Sequence, residues 1–423
     1  MVAAARGREQ KQVGLAGLTE VAWIGLLLGA FALYYLVPWL PVSLALLALC
    51  AVLCYVRLPL AVSLAPLAMP FFMLPKHLGH LEFALGETAV VLCGGAYALR
   101  CVMEPAEARN LLRRVVAASP VERAIALLLL AAAVATLAAH YRHVALRQYR
   151  EVILEPIAYY VLVVMLLRET RAMVRALWAL AGAGLLVAVL GLGQYVFRPD
   201  TLAGVDWSTG KPRPLHLITS VYGSPNNLGL LLDRAIPVAV VLGVAALLLA
   251  GARRSNTLIG TPILAAVAVL AMGAALVLSS SRGGIITAVV VSAVAAYLWY
   301  GRRAPRLEIV GLAAVAVGIL AVLWKFRHGL STVARVNVWI SALKMGRDHP
   351  LFGVGPDNFL YYYFDPRFVD RKNPATLCIP NTIVLPAKHY INPNLSANAW
   401  QEPCLSHPHN VVLDAWLSTG LIG

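Results

Sequence analysis

The chain has 423 residues, of which 60% are hydrophobic and 13% charged, and its net charge is +15. Soluble domains contain about 45–50% apolar and about 25% charged residues, so this composition excludes a soluble enzyme, a disordered chain and a fibre. The apolar runs that recur along the chain predict an integral membrane protein. The positive charge fits cytoplasmic loops and anionic membrane lipids, and no basic domain with interleaved aromatic residues indicates nucleic-acid binding.

The apolar segments predict an all-α polytopic protein with about twelve transmembrane helices. In chain order they cover residues 20–37, 41–56, 58–74, 83–102, 121–139, 152–167, 177–197, 226–250, 258–278, 284–300, 307–324 and 410–423. The predicted organisation is helices 1–11 in residues 1–324, a long, partly helical outer loop in 325–409, and a last helix in 410–423. That last segment is short for a bilayer about 30 Å thick, so either it lies partly in the membrane or the natural chain continues past Gly423. The basic N-terminus is followed by no cleavable signal peptide, so the first segment is expected to remain as a helix.

Basic residues between the segments predict the orientation. With a cytoplasmic N-terminus, the inner loops hold 17 Lys and Arg residues and the short outer loops hold 8. Positive residues are retained on the cytoplasmic side, whereas a long loop such as 325–409 is translocated regardless of its charge. Both termini are therefore predicted to be cytoplasmic, and the long loop is predicted to lie outside.

Arginines nevertheless cluster on the outer side, where the topology does not require them. They are Arg142, Arg147 and Arg150 in HYRHVALRQYRE, Arg213 in TGKPRPLH and Arg282 in SSSRGG. Guanidinium groups bind phosphate oxygens in a bidentate manner, so the set is predicted to bind a phosphorylated lipid. For any single arginine, the alternatives are anchoring to lipid headgroups and ion pairs such as that of Arg150 with Glu151.

The long loop contains the other candidate residues. The segment TVARVNVWISALKMGRDHPLFGVGPDNF predicts an amphipathic helix with Val336, Ile340 and Leu343 on its apolar face, ended by the break at His349 and Pro350. Arg335 lies near the beginning of this helix. The loop closes with SHPHN, which places His407 and His409 at the membrane boundary, where a histidine can accept a proton from a hydroxyl.

The alternatives for the two histidines are interfacial packing or half of a metal site. No third His, Cys or carboxylate has convincing ligand spacing, so no metal site is predicted. If a lipid pyrophosphate is bound on this side, arginines would neutralise its charge and one base would activate the attacking hydroxyl. One histidine and several arginines are therefore a sufficient set for glycosyl transfer from a lipid pyrophosphate, without a cofactor.

Two of the six cysteines, Cys378 and Cys404, lie in the outer loop, where an oxidising compartment favours a disulfide. A bridge between them would stabilise the loop by roughly 3 kcal/mol, and the alternative is two free thiols. Cys50, Cys54, Cys93 and Cys101 lie in apolar runs and are predicted to be small buried residues.

Four short elements together resemble the bacterial O-antigen ligase and O-antigen polymerase superfamily. They are YGSPNN at 222–227, SSSRGG, Arg335 upstream of HPLFGVGPDNF, and HPHN followed by an apolar helix and GLIG. The resemblance covers roughly residues 220–423. It implies a largely helical, GT-C-like glycosyltransferase of the bacterial inner membrane, which takes a glycan from undecaprenyl pyrophosphate on the periplasmic face without metal or nucleotide.

The resemblance also implies roles for individual residues. By motif position His409 is the base, and Arg282 and Arg335 complete the catalytic set. His407 is an alternative or supporting histidine, and it is assigned to substrate binding with Asn410 of the same motif. Arg147, Arg150 and Arg213 are added as substrate-binding residues on the strength of their charge and position alone.

The interpretation we favour is an O-antigen ligase whose acceptor is a sugar hydroxyl of lipid A-core. An O-antigen polymerase and a protein O-oligosaccharyltransferase of the same superfamily are alternatives, because these motifs do not specify the acceptor. The single long outer loop favours the ligase. A transporter or flippase for lipid-linked glycans would explain the helices and the outer arginines, but not the order of SRGG and HPHN.

Overall fold

The computed structural model describes residues 19–79, 81–198, 204–206, 211–213, 217–222, 224–253, 260–300, 330–362, 367–368 and 407–422. These residues are mainly helical. The helices are α1 (Glu20–Leu36), α2 (Leu40–Val56), α3 (Leu58–Leu64), α4 (Leu85–Met103), α5 (Pro105–Val116), α6 (Pro120–Ala138), α7 (Arg142–Gln148), α8 (Glu155–Leu166), α9 (Thr170–Phe197), α10 (Pro225–Arg253), α11 (Gly260–Ser279), α12 (Arg282–Tyr300), α13 (Leu330–Asp348), α14 (Phe359–Tyr362) and α15 (Val411–Thr419). Two antiparallel hairpins pair β1 (Lys76–Leu78) with β2 (Leu81–Phe83), and β3 (Gly204–Asp206) with β4 (Lys211–Arg213).

Within the described residues, five helices are long and apolar enough to cross a membrane. These spans are Leu85–Met103, Pro120–Ala138, Thr170–Phe197, Pro225–Leu248 and Gly260–Ser279. A sixth results if the helices over Leu40–Val56 and Leu58–Leu67, which meet at 113°, form one broken span. The prediction of a helical membrane protein is thereby confirmed, whereas the number of twelve spans is not. The predicted segment 307–324 lies outside the described residues.

The chain divides into two compact units, residues 1–110 with 161–176, and residues 111–160 with 177–423. In the first unit α1 packs on α2, and α2 packs on α4. Glu20 at the start of α1 forms ion pairs with Arg171, at 2.6 Å, and with Arg175. Of the four cysteines in this unit, Cys50, Cys54 and Cys93 are buried as predicted, and Cys101 is partly buried.

The second unit has a core in which α10 packs against α11 and α12. Small residues permit this close packing, as is usual between membrane helices. A Cβ atom on Gly229 of α10 would lie 2.2 Å from Ser281 Oγ, and one on Gly184 of α9 would lie 2.4 Å from Ala235 Cβ. The backbone N–H of Ile218 donates to Leu278 O at 3.4 Å, so the residues before YGSPNN lie beside SSSRGG.

A second core in the same unit forms around α13, the helix predicted near the start of the long loop. The helix ends at Asp348, directly before the predicted break at His349. The buried face of α13 is not the predicted apolar face, since Val336, Ile340 and Leu343 are all more than 40% exposed. The buried side chains of α13 belong to a neighbouring stripe, Val338, Ala342 and Met345, which pack with Val354, Phe359, Phe368 and Leu417.

The described structure differs from the sequence-based segments at two further points. α15 covers only nine residues and ends at Gly420, whose φ is +73°, so the last apolar segment is not one helix to Gly423. The stretch after α4, predicted as an inner loop, contains α5, whose residues are all at least partly exposed and which is strongly amphipathic. The division of the chain at residues 324 and 409 stays a prediction.

Backbone contacts join the turn after α13 to the end of α15. The N–H groups of Val354 and Gly355 both donate to Leu417 O, at 2.8 and 3.1 Å, and Leu421 N–H donates to Pro350 O at 3.0 Å. Gly353 has a φ of +65°, and a Cβ atom there would lie 2.2 Å from Leu417 O. Only glycine fits this position, because both the conformation and the neighbouring backbone exclude a side chain.

We therefore expect Gly353→Ala to reduce the free energy of unfolding by more than about 2 kcal/mol, since a left-handed φ and a backbone clash act together. The matched control is Gly273→Ala in α11, where a Cβ atom would meet nothing within 4 Å. Alanine is the better helix former, so this variant should be as stable as the wild type or more so. Thermal unfolding in detergent, followed by tryptophan fluorescence, measures both changes. Equal midpoints for the two variants would contradict the contact described for Gly353.

Candidate active site

The two histidines of HPHN form a compact turn directly before α15. The backbone N–H of His409 donates to His407 Nδ1 at 3.3 Å, and the two imidazole rings lie edge to face with centroids 4.4 Å apart. His407 Nδ1 therefore acts as an acceptor, which places the proton of neutral His407 on Nε2. Both side chains are exposed, so a substrate can reach them.

His409 has a φ of +51°, a left-handed conformation that is uncommon for a residue with a side chain. The turn is fixed on both sides. Asn410 Oδ1 accepts hydrogen bonds from the N–H groups of Val412 and Leu413, at 3.0 and 3.2 Å, and so caps α15. Trp339 Nε1 of α13 donates to Pro408 O at 3.0 Å. Strained conformations that the surroundings hold in place are concentrated at functional sites.

Asp357 joins the histidine turn to the outer arginines. Its carboxylate accepts a hydrogen bond from Arg147 of α7 at 3.3 Å, across 210 residues of sequence. Burial raises the pKa of Asp357, Arg147 lowers it, and the nearby Asp414 raises it while His407 lowers it. These four side chains therefore share one electrostatic environment. Asp357 was not among the predicted site residues. Its position in GVGPDNF, directly after the glycine turn, is the sequence feature that could have indicated it.

The next residue, Asn358, attaches this segment to the end of α6. Asn358 is fully buried, its Oδ1 accepts from the N–H of Tyr141 at 3.1 Å, and its Nδ2 donates to Pro356 O at 2.9 Å. A Cβ atom on Gly355 would lie 2.5 Å from Ala139 Cβ, so the two backbones are in close contact. These contacts hold Asp357 opposite Arg147.

The remaining predicted arginines are placed differently. Arg150 bonds to Glu151 at 3.0 Å, with Glu155 at 3.9 Å, so the ion pair anticipated as the alternative is present. Arg282 is the first residue of α12, Arg335 lies in the second turn of α13, and Arg213 is the last residue of β4. The side chains of these three residues lie outside the described part of the structure, as do Cys378 and Cys404. The proposed disulfide and the meeting of Arg282 and Arg335 with His409 stay predictions.

Backbone strain coincides with the motifs. Among the residues described, four that are not glycine have a positive φ: Ser220, Ser280, Asp357 and His409. Each lies in or beside one of the four elements quoted for the resemblance, YGSPNN, SSSRGG, GVGPDNF and HPHN. Non-glycine residues adopt this conformation uncommonly, and strained backbone of this kind is concentrated at functional sites. The strained positions therefore mark the same stretches of chain that the sequence indicates as functional.

The family comparison identifies the part of the chain that contains these groups. Residues 267–423 match a family model described as O-antigen ligase. Over this range the chain is similar to the O-antigen ligase family. Comparison with curated proteins and with solved structures gave no match. The predicted resemblance is confirmed for the matched range, which contains Arg282, Arg335, Asp357 and the histidine turn.

The match to this family model has a general chemical consequence. The family consists of glycosyltransferase-like enzymes, and it implies lipid-linked glycans as substrates. The element YGSPNN precedes the matched range, and Ile218, four residues before this element, contacts Leu278 near the beginning of that range. Within the described residues, no group of three His, Cys, Asp or Glu side chains is arranged to hold a metal ion.

Replacement of Asp357 by asparagine tests the electrostatics of the candidate site. Because burial raises its folded pKa above the usual 3.8, the folded protein binds more protons than the unfolded chain, and wild-type stability falls as the pH rises through that interval. The asparagine side chain does not titrate and tolerates a positive φ. It also leaves Arg147 in solvent, where the arginine side chain is 62% exposed. We expect Asp357→Asn to unfold at the same or a higher temperature than the wild type at pH 7, with a smaller difference near pH 4. A lower midpoint at pH 7 would show that the attraction of Arg147 for the carboxylate outweighs the effect of burial.

Proposed function

We propose that this protein is an O-antigen ligase of the bacterial inner membrane. It transfers a glycan from undecaprenyl pyrophosphate to a sugar hydroxyl of lipid A-core on the periplasmic face and completes lipopolysaccharide. The observation that carries the proposal is the histidine turn, an exposed His409 at a φ of +51° held by Asn410 and Trp339, within the range that is similar to the O-antigen ligase family.

In the proposed reaction His409 removes the proton of the acceptor hydroxyl. The hydroxyl oxygen then attacks the anomeric carbon of the donor glycan, and the bond from that carbon to the pyrophosphate oxygen breaks with inversion. The electron pair leaves with undecaprenyl pyrophosphate, whose departure requires little protonation. A fixed base contributes about 10²–10⁴-fold to such a step.

The charge that develops on the leaving pyrophosphate requires cations. We assign this role to Arg282 and Arg335, with Arg147, Arg150 and Arg213 as substrate-binding groups at the outer face. Arginine suits the task because its planar guanidinium binds phosphate oxygens in pairs. The carboxylate partners of Arg147 and Arg150 hold these two arginines before substrate binds. The side chains of Arg147 and Arg150 are 62% and 47% exposed, which leaves surface for phosphate.

His407 and Asn410 support the base. His407 accepts the N–H of His409 and contacts its ring, and Asn410 fixes the start of α15, so both limit the positions that His409 adopts. A base that is already oriented loses less conformational freedom in the transition state. Substrate contacts of these two residues remain part of the proposal.

The test is transfer of glycan by purified protein from undecaprenyl pyrophosphate to lipid A-core in the presence of EDTA. Wild-type protein should produce the lipid A-core conjugate, and His409→Ala should be at least about one hundred times slower, because it lacks the base. The matched control is His77→Ala in the β1–β2 hairpin, where His77 is exposed and pairs with Glu82 at 3.2 Å. This variant should retain wild-type activity.

Each other outcome points to a specific alternative. Lengthening of the lipid-linked glycan by the wild type would identify a polymerase, and transfer to a protein hydroxyl would identify a protein O-oligosaccharyltransferase. Movement of an unchanged lipid-linked glycan across a vesicle membrane would identify a transporter. Full activity of His409→Ala would assign His409 a structural role and refute the mechanism.

A further inference from the structure

A cavity beside Asp357 is not used by the mechanism above. It opens to the surface, has a volume of about 260 Å³, and is lined by His140, Tyr141, Tyr361, Tyr362 and Arg367. Pockets for drug-sized ligands have volumes of about 300–1,000 Å³, so this cavity suits a group of about one ring. Three of its five lining residues are tyrosines. This composition suits binding of an uncharged ring better than neutralising the charge of a phosphate.

The cavity walls are held in position by contacts with the site already described. Tyr141 and Tyr361 stack with centroids 4.4 Å apart and planes at 27°. The buried Asn358, next to Asp357, accepts the N–H of Tyr141 at 3.1 Å. Tyr362 contacts His349 edge to face at 5.2 Å. The pocket is therefore preformed, which reduces the entropy lost when a ligand binds.

The lining groups match the chemistry of a sugar ring. One face of a pyranose presents C–H groups, which pack on an aromatic face, while its hydroxyls require hydrogen-bond partners at the edges. Burial raises the pKa of Tyr362, with Tyr141 adding to the effect and Arg367 opposing it, so the hydroxyl of Tyr362 remains protonated and can donate. The positive charge of Arg367 in the cavity wall favours a neutral or acidic sugar over a cationic one.

We propose that this tyrosine-lined cavity binds one sugar ring of a substrate glycan and thereby sets the position of that glycan relative to the histidine turn. The segment 355–358 connects the cavity with the histidine turn. Asn358 accepts the N–H of Tyr141 at the cavity, while Asp357 bonds to Arg147 and interacts electrostatically with His407. The inference rests on the proposed function for the presence of glycans at this surface. The ring belongs either to the donor glycan or to the acceptor core, and both sources share the same chemistry.

The experiment measures binding of single substrates, so that no transfer is needed. The probes are undecaprenyl pyrophosphate bearing one N-acetylglucosamine, undecaprenyl pyrophosphate without a sugar, and core oligosaccharide released from lipopolysaccharide. Tyr361→Leu keeps an apolar side chain and removes the aromatic face, so it should weaken binding of a sugar-bearing probe by about 3- to 10-fold. Tyr361→Phe keeps the ring and should bind close to the wild-type level. Tyr55→Leu in α2 is the matched control and should change nothing.

The outcomes separate the sources and the two proposals. Weaker binding of the sugar-bearing lipid alone identifies a donor subsite, and weaker binding of the core oligosaccharide alone identifies an acceptor subsite. Equal weakening for the lipid without a sugar overturns the inference, as does unchanged binding of every probe. Arg367→Gln, at an exposed position, provides the same test if Tyr361→Leu does not fold. Failure of the proposed function would instead appear as absent transfer by a wild type that still binds sugar.

Discussion

The candidate site depends on one shared backbone acceptor. Leu417 O receives the N–H groups of both Val354 and Gly355, and this attachment is possible only because Gly353 brings its backbone against α15 without a Cβ atom. The same contact fixes the start of the segment that contains Asp357 and the end of the helix that Asn410 caps. The carboxylate and the histidine turn are therefore positioned by one interaction, although about fifty residues separate them in sequence.

Near this attachment the carboxylate is buried, whereas the basic side chains are accessible. Asp357 is mostly buried beside Arg147 and also interacts electrostatically with His407, and burial raises its pKa more than these two side chains lower it. The arginines and histidines themselves remain accessible. Anionic groups placed this way orient cations without covering them, which leaves the positive charge available to a phosphate. An exposed ion pair adds little stability. The main effect of the bond between Asp357 and Arg147 is therefore to orient the Arg147 side chain.

The sequence predicted the membrane class and the order of the motifs, because hydropathy and short patterns are local properties. It predicted α13 and its end at His349, but not the buried face. Val336, Ile340 and Leu343 have the same helical spacing as Val338, Ala342 and Met345, so periodicity cannot choose between the stripes. Gly346 determines which stripe of α13 is buried. Because it has no side chain, the ring of Trp416 comes within 3.0 Å of the place where a Cβ atom would lie. The contact of Asp357 with Arg147 was also beyond sequence reasoning, since nothing local relates residues 210 positions apart.

In the proposed reaction the acceptor hydroxyl displaces the lipid pyrophosphate in one step, with a histidine as base and no covalent intermediate on the enzyme. The decisive measurement is the anomeric configuration of the newly formed glycosidic bond, determined by nuclear magnetic resonance on the product of the wild-type protein and a donor of known configuration. A single displacement requires inversion at the anomeric carbon. Retention would contradict the mechanism, because retention requires two successive displacements and therefore a glycosyl-enzyme intermediate.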